Sequence, residues 1–575
     1  MPFISVVPAI RTPFGVDVFD YETQPTTSLA VGDLTLVPFR KRNLPALVIA
    51  TSTTSEYAGR ARTVLDNQLL HLGPASTELL AETAKRTFSS MPTVLAAWIR
   101  HVPQRAKPAQ AHAFTSIIKT TAPSQQLRLY TAARISTVLE QARTAKGRVL
   151  ILTPWQHRAD MLAKALSASV LHADMADGAA WSSVASFAER TSSVLVATRI
   201  GSWLSSVADT VIVDEPENDD LKQDELSPRI DSRWLVNEAA RLRPELATIF
   251  VATTPSISSS LTTRDAATID VNLTVEQWQR GSKSPIQGLS PNAIEQLEEA
   301  LEEKRNVIIL HPVHGDRSRL HCRDCGWTMK CGNCEFQLTA ELTIARCHRC
   351  GHTESLPELC PSCGGADLTA ARAGKDRVAL QVAQHYGNRV HVADLPEWHR
   401  LSLSKGALVI VTDVSLIGGY VEDIRRRERL VISWRRLAAS VAQAEGNLYV
   451  MGSENALADA RRWLESEGLI GTWAEEWKER EAFSYPPAKR RFKLILEGDA
   501  AAGEKAAEVT KDILATDWTV EGPYPVAYRS KTRKIRTILH LLPPDSLTDK
   551  TAIFEALEPL AKVGIIDLDP IAFFS

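Results

Sequence analysis

Outside the segment Cys322–Cys363 the chain has no cysteine, and all eight of its cysteines lie inside it. A secreted disulfide protein spreads its cysteines over its domains. This distribution excludes that class and points to a reducing compartment, where clustered thiolates are free to bind metal. Long apolar runs are missing too. None approaches the roughly 18 residues of a membrane span, and the opening MPFISVVPAIRTPF lacks the basic start and apolar core of a secretory leader. The expected location is cytoplasmic, with no membrane partner. An excess of one charge is also absent: 66 Lys and Arg face 68 Asp and Glu, a net charge of -2. That total neither supports nor excludes nucleic-acid binding, which needs a local basic face.

What the sequence does have is length and rhythm. At 575 residues, 44% hydrophobic and 23% charged, it is too long for one core, and several domains are expected. Residues 1–103 read as a small mixed α/β domain: VGDLTLVPF (31–39) and ALVIA (46–50) have strand character, and TELLAETAKRTF (77–88) has helical spacing. HVPQRAKPAQAHA (101–113), polar with two prolines, reads as a linker. Within 104–280, the runs RVLILTP, SVLVATR, DTVIVDE and ATIFVATTP alternate with helix-like stretches such as RISTVLEQARTA and SRWLVNEAARL. Buried parallel strands with crossover helices have this pattern, so the region is expected to be α/β. A second such rhythm fills 281–484, with IEQLEEALEEK, NVIILHP, RVALQVAQHY and ALVIVTD, and the cysteine block (320–366) interrupts it. Residues 485–575, carrying RFKLILEG, RTILHLL and VGIIDLDP, suit a compact α+β domain.

The block holds four Cys-x-x-Cys pairs: Cys322/Cys325, Cys331/Cys334, Cys347/Cys350 and Cys360/Cys363. Two intervening residues let both thiolates face one ion at about 2.3 Å. Two pairs complete a tetrahedral site, so four pairs predict two structural zinc ions, with an iron–sulfur centre or redox thiols as competing readings. Each zinc site contributes on the order of 10 kcal/mol to folding a segment with little core of its own. Spacing alone does not say which pairs share an ion.

The segment CRDCGWTMKCGNCEFQLT…RCHRCGHTESLPELCPSCGG resembles the zinc module of the primosomal protein N′ (PriA-type) family of replication restart helicases. There, too, it interrupts the second helicase lobe. TPFGVDVFDY and VGDLTLVPF resemble the family's N-terminal domain, which captures the 3′ end of a nascent DNA strand. VIVDEPENDDLKQDELSPRIDSRW resembles its helicase motif II region, VATTPS its motif III, and EREAFSYPP, GPYPVAYRSKTRKIR and IIDLDPIAFF its C-terminal region. The family's winged-helix segment has no room here in full. The resemblance implies a 3′-end DNA-binding domain (1–103), two RecA-like helicase lobes (104–280 and 281–484, the second with a zinc-binding insertion) and a C-terminal domain (485–575). It further implies one zinc on Cys322, Cys325, Cys360 and Cys363 and another on Cys331, Cys334, Cys347 and Cys350. The implied partners are branched and single-stranded DNA and replisome or primosome proteins, among them a single-stranded DNA-binding protein and a helicase loader. The implied setting is the nucleoid.

One scarcity bears on catalysis. The strand DTVIVDE ends in Asp214-Glu215, as in nucleotide hydrolases whose first carboxylate holds magnesium. Such a site needs a phosphate loop: glycines that let N–H groups wrap a phosphate, a lysine, and a hydroxyl on magnesium. In the family the loop precedes the helix leading to RVLILTP. Here that place reads QQLRLYTAARISTVLEQARTAKG, with no glycine before Gly147 and no lysine before Lys146. Pro216 and Glu217 replace the family's Glu and His, and Val313 and His314 stand where two arginines are expected. RRLAASVAQAEGN (435–447) lacks the Gly-Arg-x-Gly-Arg core of motif VI. Loss of an arginine finger alone forfeits a factor on the order of 10³ to 10⁵. The expectation is a chain that does not hydrolyse ATP, which puts ATP and Mg2+ in question as cofactors. Asp214 and Glu215 then have two readings. They are inherited carboxylates that cap the next helix or hold a lysine, or remnants that still bind a divalent ion or nucleotide weakly. Lys222, Gln223 and Arg229 either line a DNA-facing side or are solvated.

For DNA, the resemblance makes Phe19, Asp20 and Tyr21 the 3′-end pocket, with rings as walls and Asp20 accepting from the terminal nucleotide. The plain alternative is that Phe19 and Tyr21 pack a small β core. Arg40 and Lys41, with Arg42, could meet the adjacent phosphate, although the family often has glycine at the position of Arg40. Arg529, Lys531 and Arg533 share one face of a strand-like run, which suits either fork contact or a solvated edge. Arg425, Arg426, Arg427 and Arg429 read as a solvated helix or loop. The reading taken forward is a non-catalytic DNA-binding scaffold for replication restart. Its rivals are an ATP-driven 3′→5′ helicase with a diverged nucleotide site and a zinc-dependent interaction protein that has left DNA.

Overall fold

The computed structural model describes residues 3–24, 28–57, 61–64, 68–100, 126–260, 266–278, 284–312, 320–322, 324–332, 338–340, 344–347, 352–370, 374–417, 423–498, 500–526 and 535–573. Alternating apolar residues build a six-stranded mixed sheet at the N-terminal end. Its order is Arg62–Thr63, Phe19–Glu22, Phe3–Pro8, Arg42–Ser52, Asp33–Phe39, Gln68–His71. Period-two alternation splits its side chains between two cores. Leu34, Leu36 and Leu47 pack with the helices Pro74–Arg86 and Met91–Trp98, whereas Val37, Ala46 and Val48 join Ile4, Val6 and Tyr21 on the other face.

The apolar runs between 148 and 255 become strands of one parallel sheet, in the order Gln126–Tyr130, Ala247–Ala252, Thr210–Asp214, Val149–Leu152, Val194–Ala197, Ser169–Leu171. Both faces are covered, which is why these strands read as continuous rather than alternating. Val211 and Val213 enter one core and Ile212 the other. A second parallel sheet follows, in the order Asn272–Gln277, Asn447–Gly452, Leu408–Val411, Val307–Leu310, Val390–Ala393. The cysteine block falls between Val307–Leu310 and Val390–Ala393, which are adjacent partners. It is therefore an insertion in the crossover that contains the helix Lys375–Tyr386. Residues after 491 form an antiparallel sheet, in the order Thr519–Val526, Ile535–Leu542, Phe492–Gly498, Ile565–Asp567, with the helices Ala500–Ile513 and Lys550–Leu557. The chain is thus multidomain α/β. Among the described residues no helix is long and apolar enough to cross a membrane.

Ion pairs fasten the antiparallel sheet to the parallel ones. The buried Lys222 ammonium meets Asp567 at 2.5 Å and donates to the Asp569 carbonyl, and Arg229 reaches Asp567 at 3.4 Å. Lys222 and Arg229 are therefore not solvated. Their partner is the last strand of the chain. Arg425 and Arg429, at the start of the helix Arg426–Gln443, hold Asp219 at 2.7 and 2.9 Å, and Arg429 donates to the Ile571 carbonyl. Arg427 pairs with Glu475 at 3.0 Å, and Arg426 alone of the four is exposed. The expectation of a solvated arginine run fails because its main carboxylate partner lies 206 residues away from Arg425.

Removing one partner of a buried pair costs about 3–5 kcal/mol. Asp567→Ala strands the Lys222 ammonium and should lower the urea midpoint clearly. Asp545→Ala removes an exposed pair with Lys489 and should leave that midpoint nearly unchanged.

Candidate functional site

The strand Thr210–Asp214, buried on both faces, delivers Asp214 and Glu215 to the carboxyl edge of its parallel sheet, where ligands of such sheets bind. Both carboxylates are fully buried. Arg134, the first residue of the helix Arg134–Thr144, fills the space in front of them: its guanidinium contacts Asp214 Oδ1 and lies 2.7 Å from Glu215 Oε1. The Thr153 hydroxyl donates to Asp214 Oδ2 at 2.8 Å. Arg436, carried by the helix Arg426–Gln443 of the second parallel sheet, meets Glu215 Oε2 at 2.9 Å and lies over the Trp155 ring. Two carboxylates thus face two guanidinium groups, and the cations are arginines rather than the lysine expected.

The turn ahead of Arg134 is an ordinary strand-to-helix turn. The Thr131 N–H donates to the Ala252 carbonyl at 2.9 Å, the Ala133 N–H donates to the Thr131 hydroxyl at 3.0 Å, and the Ala132 carbonyl accepts from the Gln443 side chain. These residues do not fit a magnesium–triphosphate group. Two of the turn's amides are already satisfied, and Arg134 occupies the carboxylate that would hold the metal. Val313 and His314 lie outside the described residues.

Electrostatics follow from burial. Desolvation raises the Glu215 carboxyl, but Arg134, Arg436 and Arg158 outweigh it and hold it at about 2. Glu217 is also buried, and neither of its carboxyl oxygens has a hydrogen-bond partner among the described residues. Burial, opposed in part by Arg436 and reinforced by Glu215, pushes it up to about 8. At neutral pH Glu217 therefore keeps its proton, and the cluster Asp214, Glu215, Arg134, Arg436 is electroneutral without it.

The thiolate cluster is built from two equivalent turns. In CRDCG the Gly326 N–H donates to the Cys322 carbonyl at 2.9 Å; in CPSCG the Gly364 N–H donates to the Cys360 carbonyl at 2.8 Å. Both glycines take a left-handed φ, +76° and +72°, a conformation that only glycine adopts freely. The Cys322 and Cys360 N–H groups each donate to the carbonyl five residues on, at 2.8 Å. Together the turns bring Cys322, Cys325, Cys360 and Cys363 within 4.8 Å of one another, with the sulfur pairs 322/363 and 325/360 at 3.7 Å. The edge of a thiolate tetrahedron around an ion at 2.3 Å is about 3.8 Å, so this set could hold a metal ion. Cys331 and Cys347 are buried beside Met329, Leu338 and Ala345, and the Cys347 N–H repeats the five-residue contact. Cys334 and Cys350 lie outside the described residues.

In the N-terminal sheet the strand Phe19–Glu22 sends Phe19 and Tyr21 to one face. Tyr21 is buried, its hydroxyl donating to the Pro38 carbonyl, and Phe19 packs edge-on to Phe39 at 5.6 Å. Asp20 projects from the opposite face and accepts from the hydroxyls of Ser5 at 2.7 Å and Ser55 at 2.6 Å. The three residues are not one pocket lining. Arg40 and Lys41 form the exposed hairpin turn between Asp33–Phe39 and Arg42–Ser52, and Arg40 has φ +54°. Hairpin turns favour glycine where φ is positive. Arg62 donates to the Arg40 carbonyl at 3.0 Å and extends the basic tip. Its place beside Tyr21 is set by strand pairing that no motif reveals. Arg529, Lys531 and Arg533 lie outside the described residues. Arg536 is buried on its strand, 3.3 Å from Glu497.

A multidomain α/β chain with a basic hairpin on a mixed N-terminal sheet and a thiolate cluster inserted in a parallel one is the class so defined. Residues 9–100 match the sequence family described as the 3′ DNA-binding domain (3′BD) of PriA. The chain is 26% identical over 279 residues to the replication restart protein PriA of Thermotoga maritima, covering 43% of this chain and 36% of that protein. It is 29% identical over 111 residues to PriA of Bacillus subtilis, covering 19% and 13%, and 29% identical over 202 residues to PriA of Chlamydia trachomatis, covering 31% and 26%. The matches therefore span well under half the length of these curated relatives. Over these stretches the chain is similar to PriA-type replication restart proteins, and over residues 9–100 to their 3′ DNA-binding domain.

A raised carboxyl stabilises the fold fully below its unfolded value near 4.5, and that contribution is lost as pH rises through about 8. Glu217→Gln removes the loss. The variant should gain thermal stability over the parent on going from about pH 6 to about pH 9, as read by scanning calorimetry. An unchanged gap would contradict the assignment.

Proposed function

We propose that the chain is a scaffold of replication restart that binds branched DNA and does not hydrolyse ATP. One observation carries this reading: Arg134 stands in the phosphate-loop position, paired to Asp214 and Glu215, and Arg436 closes the set from the other parallel sheet. Residues 104–280 and 281–484 are then helicase-like lobes that keep their fold while the fuel site is filled by side chains. Residues 485–575 form the C-terminal domain that braces them. Phosphoryl transfer depends almost wholly on positioned charge and amide hydrogens, and here both carboxylates that would position magnesium already have partners.

DNA binding is assigned to residues 1–103, on the strength of the match over residues 9–100 and of the exposed tip formed by Arg40, Lys41, Arg42 and Arg62. Exposed cations of this kind meet phosphates, and Asp20, on the face opposite Phe19 and Tyr21, is the acceptor for a strand terminus. Two zinc ions are assigned to the cysteine block, one on Cys322, Cys325, Cys360 and Cys363 and one on Cys331, Cys334, Cys347 and Cys350. Bound there, zinc supplies rigidity rather than chemistry, since four thiolates leave no open position. The module is the surface offered to replisome or primosome proteins, a single-stranded DNA-binding protein and a helicase loader among them.

The purified chain should contain two zinc ions per molecule by elemental analysis, and Cys322→Ser with Cys363→Ser should retain one. Retention of both, or loss of both, would refute the pairing.

Forked DNA should bind without stimulating phosphate release from ATP, and Lys41→Glu with Arg62→Glu should weaken that binding about tenfold or more. Fork-stimulated turnover abolished by Asp214→Asn would defeat the scaffold reading and restore the active helicase. Absence of fork binding would favour a protein-interaction module instead.

A further inference from the structure

A cavity of about 610 Å³ opens where the edge strand Gln126–Tyr130, the helix Ser232–Leu242, the helix Arg426–Gln443 and the C-terminal sheet converge. Its volume is in the range of small-molecule sites. Nine Lys or Arg residues line it against four Asp or Glu. Six of the nine are engaged: Arg86 with Asp569, Arg233 with Asp231, Arg425 and Arg480 with Glu428, Lys489 with Asp545, and Arg491 with Glu521. Three have no carboxylate within 4.0 Å among the described residues, namely Arg128, Arg490 and Lys550. Arg128 lies over the Phe250 ring, and Arg490 donates only to the Leu547 carbonyl. The half-buried Tyr130 lies on the same face of its strand as Arg128 and lines the same space.

A second feature lies in the wall of this cavity. Glu217 lines it, is 7% exposed, and has no hydrogen-bond partner for either carboxyl oxygen among the described residues. Charging a buried carboxyl that has no hydrogen-bond partner is costly, so this wall of the cavity is kept neutral. With its proton kept at neutral pH, Glu217 adds no negative charge to the cavity wall. Neither Arg134 nor Asp214 lines the cavity, so it is not the filled phosphate-loop position.

We propose that this cavity is a binding site for a nucleoside phosphate, with the phosphate on Arg128, Arg490 and Lys550 and the ring against Tyr130. Nothing in the site calls for magnesium, because its charge is supplied by cations of the chain. The site is independent of the scaffold reading, since a chain that did hydrolyse ATP at Asp214 could still carry it.

The test is calorimetric titration of the full chain with ADP and with AMP, in buffer with and without magnesium. One molecule should bind per chain, equally with and without magnesium and equally in Asp214→Asn. Arg128→Glu with Lys550→Glu, both exposed and therefore tolerable to the fold, should weaken binding tenfold or more with the melting temperature unchanged. No heat at millimolar nucleotide would overturn the proposal. So would binding that needs both magnesium and Asp214. If the double variant loses affinity for an oligonucleotide while mononucleotides never bind, the cavity takes a nucleic-acid strand and the proposal is wrong.

Discussion

Everything at the centre of this molecule depends on how Arg134 is buried. A guanidinium taken out of water must be paired, or it costs several kcal/mol, and Arg134 is paired with Asp214, which ends the strand Thr210–Asp214, and with Glu215 just after it. Once Arg134 is bound there, Glu215 keeps one oxygen for Arg436, and Arg436 belongs to the helix of the other parallel sheet. The charges cancel within the set. Glu217, which would add a third buried negative charge, instead keeps its proton. The strand, the turn and the inter-sheet contact are therefore one electrostatic object.

That object closes the gap between the two parallel sheets with residues that are always present. In a motor, closure is what the bound triphosphate brings about, and release of its products reopens the cleft. Here a ligand entering in front of Asp214 would first have to remove Arg134 from a carboxylate it was desolvated to meet. The same logic extends outward. Asp219 holds Arg425 and Arg429, and Asp567 holds Lys222 and Arg229. The C-terminal sheet is thereby tied to the parallel sheet of Asp214, and its end segment to the helix Arg426–Gln443.

Much of this was legible in the sequence, and the failures have a common cause. Continuous apolar runs announced the parallel strands because burial on both faces leaves no room for alternation. Cys-x-x-Cys spacing announced the cysteine turns because their residues are local. The block was read as an insertion because the apolar rhythm resumes after it. What the sequence concealed were partners far apart in the chain. The run Arg425–Arg429 looks solvated until Asp219 and Ile571 are brought to it. Lys222 looks like a surface lysine until the last strand arrives. At the phosphate-loop position the missing glycine and lysine were plain. The arginine that replaces them was not, because its meaning lies in carboxylates 80 residues later. Alternation along Phe19–Glu22 was readable, and it separates Asp20 from the two rings, as the sheet does.

A phosphate-backbone contact and a triphosphate site rest on different physics. Contact with a phosphate backbone needs exposed, hydrated cations on a stable surface, and the tip of Arg40, Lys41, Arg42 and Arg62 is held by strand pairing within residues 3–71 alone. A triphosphate site needs buried amides and carboxylates left unpaired until the ligand comes, which is a standing cost to the fold. Pairing Asp214 and Glu215 with Arg134 and Arg436 removes that cost.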